Sequence, residues 1–465
     1  MRLFYLFIAL LISQALLAQP DYAPKLETFM QAQVEVNHFN GNVLVAQKGQ
    51  IRYQKAFGYA NYDTKIPLDL NSVFELGSVS KQFTAMSILL LKEQGKLHLS
   101  DTLRQFFPQL PYHNITIQQL LTHTSGLPDH ETEMDTRWDH QQVATNADMI
   151  QFLAHYKPPV HFPPGLKYEY SNTGYALLSA IVEKVSGQRW AEFTKQYIFK
   201  PLGMNRSRVY VTRRSQGEVI PDYAYGYVYL DSLQRYVLPD RVPQYDLVYY
   251  LDGIYGDGGV NSTVGDLYRW DRALKNHTLL SEATQRAMLS KQVLANAQKQ
   301  TFYGYGVRLG QQDNKEIVAH GGSWPGYKNY LTRYIDDDLT IIVLSNNEAE
   351  ADKLSISLGA IALGKAVALP QNRRVIPVDE NLLERYVGTY EFAPENKFIL
   401  IRDGNRLLVR SRYQPTFELQ AETDTRFNAP KLFSHLEFIR DNRGQVTRLV
   451  EVRDNGQQSE AKKIN

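Results

Sequence analysis

From Ser80 to Gln94 the chain sets Phe83, Met86, Leu89, Leu90 and Leu91 at helical spacing and then stops at Gly95. That pattern predicts an apolar helix which the rest of the molecule has to enclose. Ser78-Val79-Ser80-Lys81 stands at its N-terminus. Side chains three apart on a helix share a face, so this spacing sets a lysine amine beside a serine hydroxyl. A serine hydroxyl is a poor nucleophile until a basic group draws off its proton, and a helix N-terminus offers N–H groups to developing negative charge. By itself the pair reads more readily as a helix cap and a surface lysine. Ordinary composition gives about two S-x-x-K matches by chance in a chain of this length, and a second one does occur at Ser459 to Lys462.

Two further motifs follow in order. Tyr170-Ser171-Asn172 comes after Pro163-Pro164-Gly165 and opens a predicted helix from Thr173 to Val185, ended by Gly187. Tyr-x-Asn also starts at Tyr59, Tyr112 and Tyr327, so context has to single out the Tyr170 copy. There, Ser171 or Asn172 is expected to cap the helix, leaving the phenol on a rigid turn where it can pass protons between Ser78 and a leaving group. His320-Gly321-Gly322 is expected at the end of a strand over Glu316 to Ala319. Glycines there let a substrate carbonyl reach the backbone, and the N–H groups of Ser323 and Ser78 can form an oxyanion hole. His320 is expected as a hydrogen-bonding or cationic partner above the cleft.

Bulk composition narrows the ligand. The 51 basic and 49 acidic residues nearly cancel, with no basic run that would track phosphate, so nucleic acid is excluded as a partner and a small molecule or peptide is expected. There is no cysteine, which removes disulfides, thiolate chemistry and cysteine zinc sites and leaves stability to core packing. Arg2, the apolar stretch Leu3 to Leu17, and Ala18 before Gln19-Pro20-Asp21 read as an export signal over residues 1–18, too short and too interrupted to stay as a membrane span. A periplasmic or secreted location follows as an expectation, with no stable membrane span after signal removal. Oligomeric state is not legible.

The pattern along the chain predicts two folded units, at 19–369 and 380–465, joined by a linker at 370–379. Alternating residues from Gly41 to Tyr59 around Gln47-Lys48-Gly49-Gln50 predict a hairpin. Strands at Tyr330 to Tyr334 and Leu339 to Leu344, joined by Asp336-Asp337-Asp338 and followed by a helix from Asp352 to Val367, are expected to complete the same sheet. Between them lies a mostly helical insertion. Its Tyr223 to Tyr255 segment holds nine tyrosines. Tyr223, Tyr225, Tyr227 and Tyr229 alternate and are expected to share one strand face, packed against another surface or rimming a cleft. Beyond Pro370 to Pro377, short alternating segments broken at Asp403-Gly404, Asn442-Arg443-Gly444 and Asn455-Gly456 predict a small β-domain.

Taken together, Ser78-Val79-Ser80-Lys81, Tyr170-Ser171-Asn172 and His320-Gly321-Gly322 give the chain a resemblance to the serine β-lactamase-like, penicillin-binding-protein-like hydrolases, in the branch of class C β-lactamases, D-alanyl-D-alanine carboxypeptidases and related esterases. Leu120 to Leu127, Phe162 to Gly165 and Gly258 to Thr263 match as well, so the resemblance spans about Phe39 to Leu363. It implies an α/β (α+β) fold with an antiparallel sheet flanked by helices. It implies Ser78 as acylated nucleophile, Lys81 and Tyr170 as the proton-transfer system, Asn172 as a partner of substrate amide or lysine, and His320 in place of the lysine of the third motif. Gly322 and Ser323 complete the expected substrate-binding set. The C-terminal segment resembles the lipocalin-like domains appended to some family members. The same resemblance assigns His123 to a structural turn, and it implies neither metal nor cofactor.

Rival readings are an α/β-hydrolase, for which the required G-x-S-x-G elbow is lacking, and a metal enzyme using His130, Glu131, Glu133, Asp139 and His140. These last lack recognised ligand spacing and read as a solvated loop. A binding or sensing protein that keeps the fold without turnover is the remaining alternative. The expected activity is metal-independent acyl transfer through Ser78 to water, from a D-alanyl peptide or simple ester in preference to a β-lactam.

Overall fold

The computed structural model describes residues 21–464 apart from 211–219, 231, 371–374, 394–395, 412–413, 430–431, 433 and 454–456. The export signal at 1–18, part of the linker and the turn at Asn455-Gly456 therefore lie outside the described residues. No helix among those described is long and apolar enough to cross a membrane.

The strands Gly41–Gln47 and Leu339–Ser345 are buried almost throughout, because helices cover both faces of their sheet. Successive side chains of a strand point to opposite faces. Val43 and Val45 with Ile341 and Val343 therefore pack under the helices Ala23–Asn37 and Ala351–Ala362. Leu44 and Ala46 with Ile342 and Leu344 face the helical insertion instead. The sheet is eight-stranded and antiparallel, in the order Val293–Asn296, Thr301–Tyr303, Arg308–Gln312, Lys315–Trp324, Tyr327–Tyr334, Leu339–Ser345, Gly41–Gln47, Gln50–Phe57. Its N-terminal hairpin pairs directly with its last C-terminal strand, Gly41 opposite Ser345, so the two ends of the domain close on one another as expected.

The helix Lys81–Glu93 is the buried element foreseen, with Phe83, Met86, Leu89 and Leu91 in the main core. Two of its polar residues find partners inside that core: Trp270 Nε1 donates to Gln82 Oε1 at 3.1 Å and Thr84 donates to the Gly256 carbonyl at 2.6 Å. A 3-10 turn, Gly77–Ser80, precedes it and carries Ser78. The helix Asn172–Ser186 ends on Gly187 in the left-handed conformation, φ 71°. Gly364, at φ 80°, ends the C-terminal helix at Ala362, short of the expected Val367.

Two expectations fail. The Lys315–Trp324 strand runs through His320-Gly321-Gly322 instead of ending there, since Gly321 and Gly322 pair with Tyr330 and Asn329 and need no left-handed backbone. Tyr223 to Tyr229 do not share a strand face. Only Val228–Leu230 is strand; Tyr223 and Tyr227 are buried and Tyr229 is exposed. The hydroxyls explain the departure: Tyr227 receives the Tyr62 N–H and Tyr223 donates to Glu75, so each ring is fixed by its own partner.

Residues 388–463 form a closed barrel of eight antiparallel strands in which the first, Gly388–Ala393, pairs with the last, Gln458–Lys463. Hairpins at Asp403 to Arg406 and Arg440 to Val446 match the turn signals. Leu400, Val409, Phe427, Leu436, Phe438 and Leu449 form one apolar cluster, joined by Leu383 and Tyr386 of the short helix Glu380–Tyr386.

Candidate active site

Ser78 sits where three segments meet: the 3-10 turn, the strand carrying the third motif, and the small sheet of Phe74–Glu75, Val260–Ser262 and Arg208–Val209. Lys81 is completely buried, and its Nζ donates to Ser78 Oγ at 3.0 Å, to Asn172 Oδ1 at 2.8 Å and to the Asp257 carbonyl at 2.9 Å. All three acceptors are neutral oxygens. The amine is thus held against the hydroxyl by a rigid frame with no carboxylate among the described residues in direct contact.

Tyr170 meets this group through its ring, whose centroid lies 4.8 Å from Lys81 Nζ. The turn holding it is built from elsewhere in the chain. Ser171 occupies the N-cap position, but its hydroxyl caps nothing; the Asp129 carboxylate takes the Asn172 N–H instead, at 2.8 Å. The Ser171 N–H donates to His123 Nδ1 at 3.1 Å, and the His123 ring packs 4.3 Å from that of Tyr170. His123 is fully buried with φ 56°, and burial holds its imidazole well below the ordinary value. It is a neutral support for the tyrosine turn.

His320 is 2% exposed and lies behind the cleft wall. Its Nε2 shares a hydrogen bond with the Tyr303 hydroxyl at 3.0 Å, and its Nδ1 donates to the Gly321 carbonyl at 2.7 Å. Burial, with the Arg308 charge, pushes its pKa down to about 3. The expectation of a cationic His320 is therefore corrected: positive charge near it comes from Arg308, 5.6 Å from the Tyr170 ring centroid, and from Lys81. Histidine NMR should show a neutral His320 ring across about pH 5–8; an imidazolium signal near pH 6 would contradict this assignment.

Gly322 and Gly77 let the two backbones touch. A Cβ on Gly322 would fall 1.8 Å from the Leu76 carbonyl oxygen, and one on Gly77 would fall 2.8 Å from the Ser323 nitrogen. The turn bearing Ser78 and the strand bearing Ser323 thus meet without intervening side chains. Both serines, with Asn172, line the cleft.

Sequence reasoning missed the acidic side of this cleft. Glu131 accepts from Asn172 Nδ2 at 3.0 Å, extending the chain that starts at Ser78 and Lys81. Burial raises its carboxyl to about 7. His130 is 1% exposed, so the loop read as solvated is buried at this point. His130, Glu131 and Asp257 bring donor atoms within 4.8 Å of one another, whereas Glu133 pairs with Arg137 and His140 with Asp246 away from them. The two shifted groups act oppositely on stability. An unfolded chain binds the His320 proton between about 3 and 6.5 and the folded one does not, so that term rises with pH. Folded Glu131 holds its proton between 4.5 and about 7, so its term falls.

The Beta-lactamase family model matches residues 26–364. Penicillin-binding protein 4* of Bacillus subtilis (strain 168) is 40% identical over 420 residues, covering 89% of this chain and 93% of that protein. A D-aminopeptidase of Gluconobacter oxydans (strain 621H) is 24% identical over 70% of this chain and 59% of its own length. Among solved structures, a penicillin-binding protein from Bacillus halodurans superposes with a TM-score of 0.64 at 28% identity, covering 72% of this chain and 98% of that one. Lys81 is held on Ser78 at the front of a buried helix, on a sheet closed by both ends of the domain, and the chain belongs to the Beta-lactamase family as a serine hydrolase related to penicillin-binding proteins and D-aminopeptidases.

Proposed function

We propose that the protein is an exported hydrolase that acylates Ser78 with a peptide or ester carbonyl and passes the acyl group to water. The observation that carries this reading is the 3.0 Å contact between Lys81 Nζ and Ser78 Oγ. For the reaction Lys81 keeps N–H donors for Asn172 and the Asp257 carbonyl and turns a lone pair to Ser78, taking the hydroxyl proton as Oγ bonds to the carbonyl carbon and the carbonyl π pair moves to oxygen. The N–H groups of Ser78 and Ser323 receive that oxyanion. Collapse breaks the bond to the leaving amine or alkoxide, which takes the proton back by way of Lys81 and Tyr170. Water then repeats the sequence on the ester and frees Ser78.

Asn172 orients Lys81 or the substrate amide, Gly322 keeps the oxyanion site open, and His320 steadies the strand as a neutral hydrogen-bonding group. A D-alanyl peptide or simple ester is preferred to a β-lactam as natural substrate, because His320 stands where many lactamases carry lysine. The D-aminopeptidase name of one relative supports peptide carbonyls. Export rests on the charged and apolar start of the chain over residues 1–18. The division into 19–369, a 370–379 linker and 380–465 is supported by the sheet and the barrel.

Intact-mass spectrometry after exposure to a fluorescent penicillin, a short-chain ester and a D-alanyl-D-alanine peptide tests the reading. A covalent adduct that maps to the Ser78 peptide is expected with at least one of them. Turnover with label on another residue would overturn it.

A further inference from the structure

His130, Glu131 and Asp257 stand in the wall of the cleft, and each brings a donor atom within 4.8 Å of the other two. Asp257 is 9% exposed, and its carboxylate makes no hydrogen bond or ion pair among the described residues. Buried charges are costly unless they are paired or coordinate a metal. Lys81 is not the missing partner, since its three donors go to Ser78, Asn172 and the Asp257 backbone. The imidazole of His130 is set up as a ligand. The Thr173 hydroxyl spends its one proton on the Pro128 carbonyl at 2.7 Å, so at its 3.4 Å contact with His130 Nδ1 it accepts. In the neutral ring Nδ1 therefore carries the proton and Nε2 keeps a lone pair. Glu131 receives Asn172 through one oxygen and has the other to offer. Both segments are anchored from behind. Asp129 takes the Glu131 N–H at 3.1 Å on one oxygen and the Asn172 N–H at 2.8 Å on the other, while the Gly256 and Asp257 carbonyls receive Thr84 and Lys81 of the central helix.

We propose that His130, Glu131 and Asp257 form a three-ligand site for a zinc-like divalent cation, which bars substrate from the cleft while it is bound. One imidazole nitrogen and two carboxylate oxygens, with a further position left to water, is a donor set that suits zinc, whereas Mg²⁺ and Ca²⁺ favour oxygen ligands and more of them. The same wall carries Glu75 and Asp252 and, among the described residues, no lysine or arginine, so its charge draws a cation in. The ion takes no part in acyl transfer. It stands in the cleft that Ser78, Asn172 and Ser323 also line, and therefore competes with substrate for that space. The site does not depend on the acyl-Ser78 reading, because none of its three ligands is the nucleophile or its base.

Titration calorimetry with Zn²⁺ and with Mg²⁺ tests the site on native protein, Asp257→Asn, His130→Gln and Ser78→Ala, beside Zn²⁺ inhibition of chromogenic ester hydrolysis by native protein. Native protein should bind one Zn²⁺ at least about tenfold more tightly than Mg²⁺, and Zn²⁺ should raise the apparent KM for the ester with kcat unchanged, an effect that EDTA reverses. Asp257→Asn and His130→Gln should each weaken Zn²⁺ at least about tenfold, while Ser78→Ala binds it as native protein does. The selectivity of native protein needs no variant, so a misfolded His130→Gln does not blunt the test. No saturable Zn²⁺ binding, equal binding of Mg²⁺, or unchanged Zn²⁺ affinity in folded Asp257→Asn overturns the site. Binding that leaves the ester KM as it was overturns the blocking role. Loss of Zn²⁺ binding in Ser78→Ala would put the ion on the nucleophile and overturn this ligand set.

Discussion

Ser78→Ala should lower turnover of every accepted ester or amide on the order of 10⁴-fold or more, with KM little changed and the thermal transition within a degree or two. The expectation follows from what the hydroxyl does and does not support. Its only hydrogen bond among the described residues is the one from Lys81 Nζ, and Lys81 keeps Asn172 Oδ1 and the Asp257 carbonyl when it is lost. The 3-10 turn stays anchored by the Leu76 N–H on the Val260 carbonyl and by Ser80 Oγ, which accepts the Val260 N–H at 3.1 Å. Substrate would still find the cleft and the N–H pair, but no acyl bond could form. Steady-state kinetics on a chromogenic ester, with calorimetry on the same preparations, separates the outcomes. A variant that keeps even a tenth of native turnover with an intact transition would place the nucleophile elsewhere and remove the basis for the acyl-Ser78 mechanism.

What could be read beforehand was what local physics encodes. The apolar spacing from Phe83 to Leu91 demanded a buried helix, and a lysine three residues from a serine at its start allowed their contact, which the structure has at 3.0 Å. The hairpin at Gln47 to Gln50 and the strands on either side of Asp336 to Asp338 were equally local. The acidic corner was not. Glu131 and Asp257 lie far apart in the chain and meet where the helices Asn172–Ser186 and Lys81–Glu93 hold their loops at one cleft. His320 shows the same limit from the other side. Its identity suggested a charged group, yet its charge state is set by the burial around it and by Arg308 from a neighbouring strand. The alternating tyrosines misled because alternation implies a shared face only when the backbone is a strand, and here separate hydroxyl partners hold the rings in irregular chain.

Gly322→Ala should be the most damaging change that alters no functional group. The added methyl carbon would lie 1.8 Å from the Leu76 carbonyl oxygen, 3.0 Å from its carbon and 3.1 Å from the Val79 nitrogen. All three are backbone atoms of the segment that carries Ser78, so no side-chain rotation relieves the clash. Relief on the strand side is equally closed, because Gly322 pairs with Asn329, and Asn329 Nδ2 donates to the Glu75 carbonyl at 2.8 Å. One backbone has to retreat from the other, which widens the space between the Ser78 and Ser323 N–H groups. Misplacing one oxyanion donor costs about 10²–10³-fold in kcat, and the overpacking itself costs about 1–3 kcal/mol of stability. The expected result is a folded, somewhat less stable protein whose kcat falls by at least about a hundredfold, while Ser78 still accepts a reactive ester slowly. Gly321→Ala is the control: its methyl would meet the Tyr330 ring edge at 3.0 Å, a side chain that can shift, and no atom of the Ser78 turn. If the two alanine variants lose activity equally, the close approach at Gly322 is a packing detail and the oxyanion site has to be sought elsewhere; a loss confined to Gly322→Ala ties catalysis to the meeting of these two backbones.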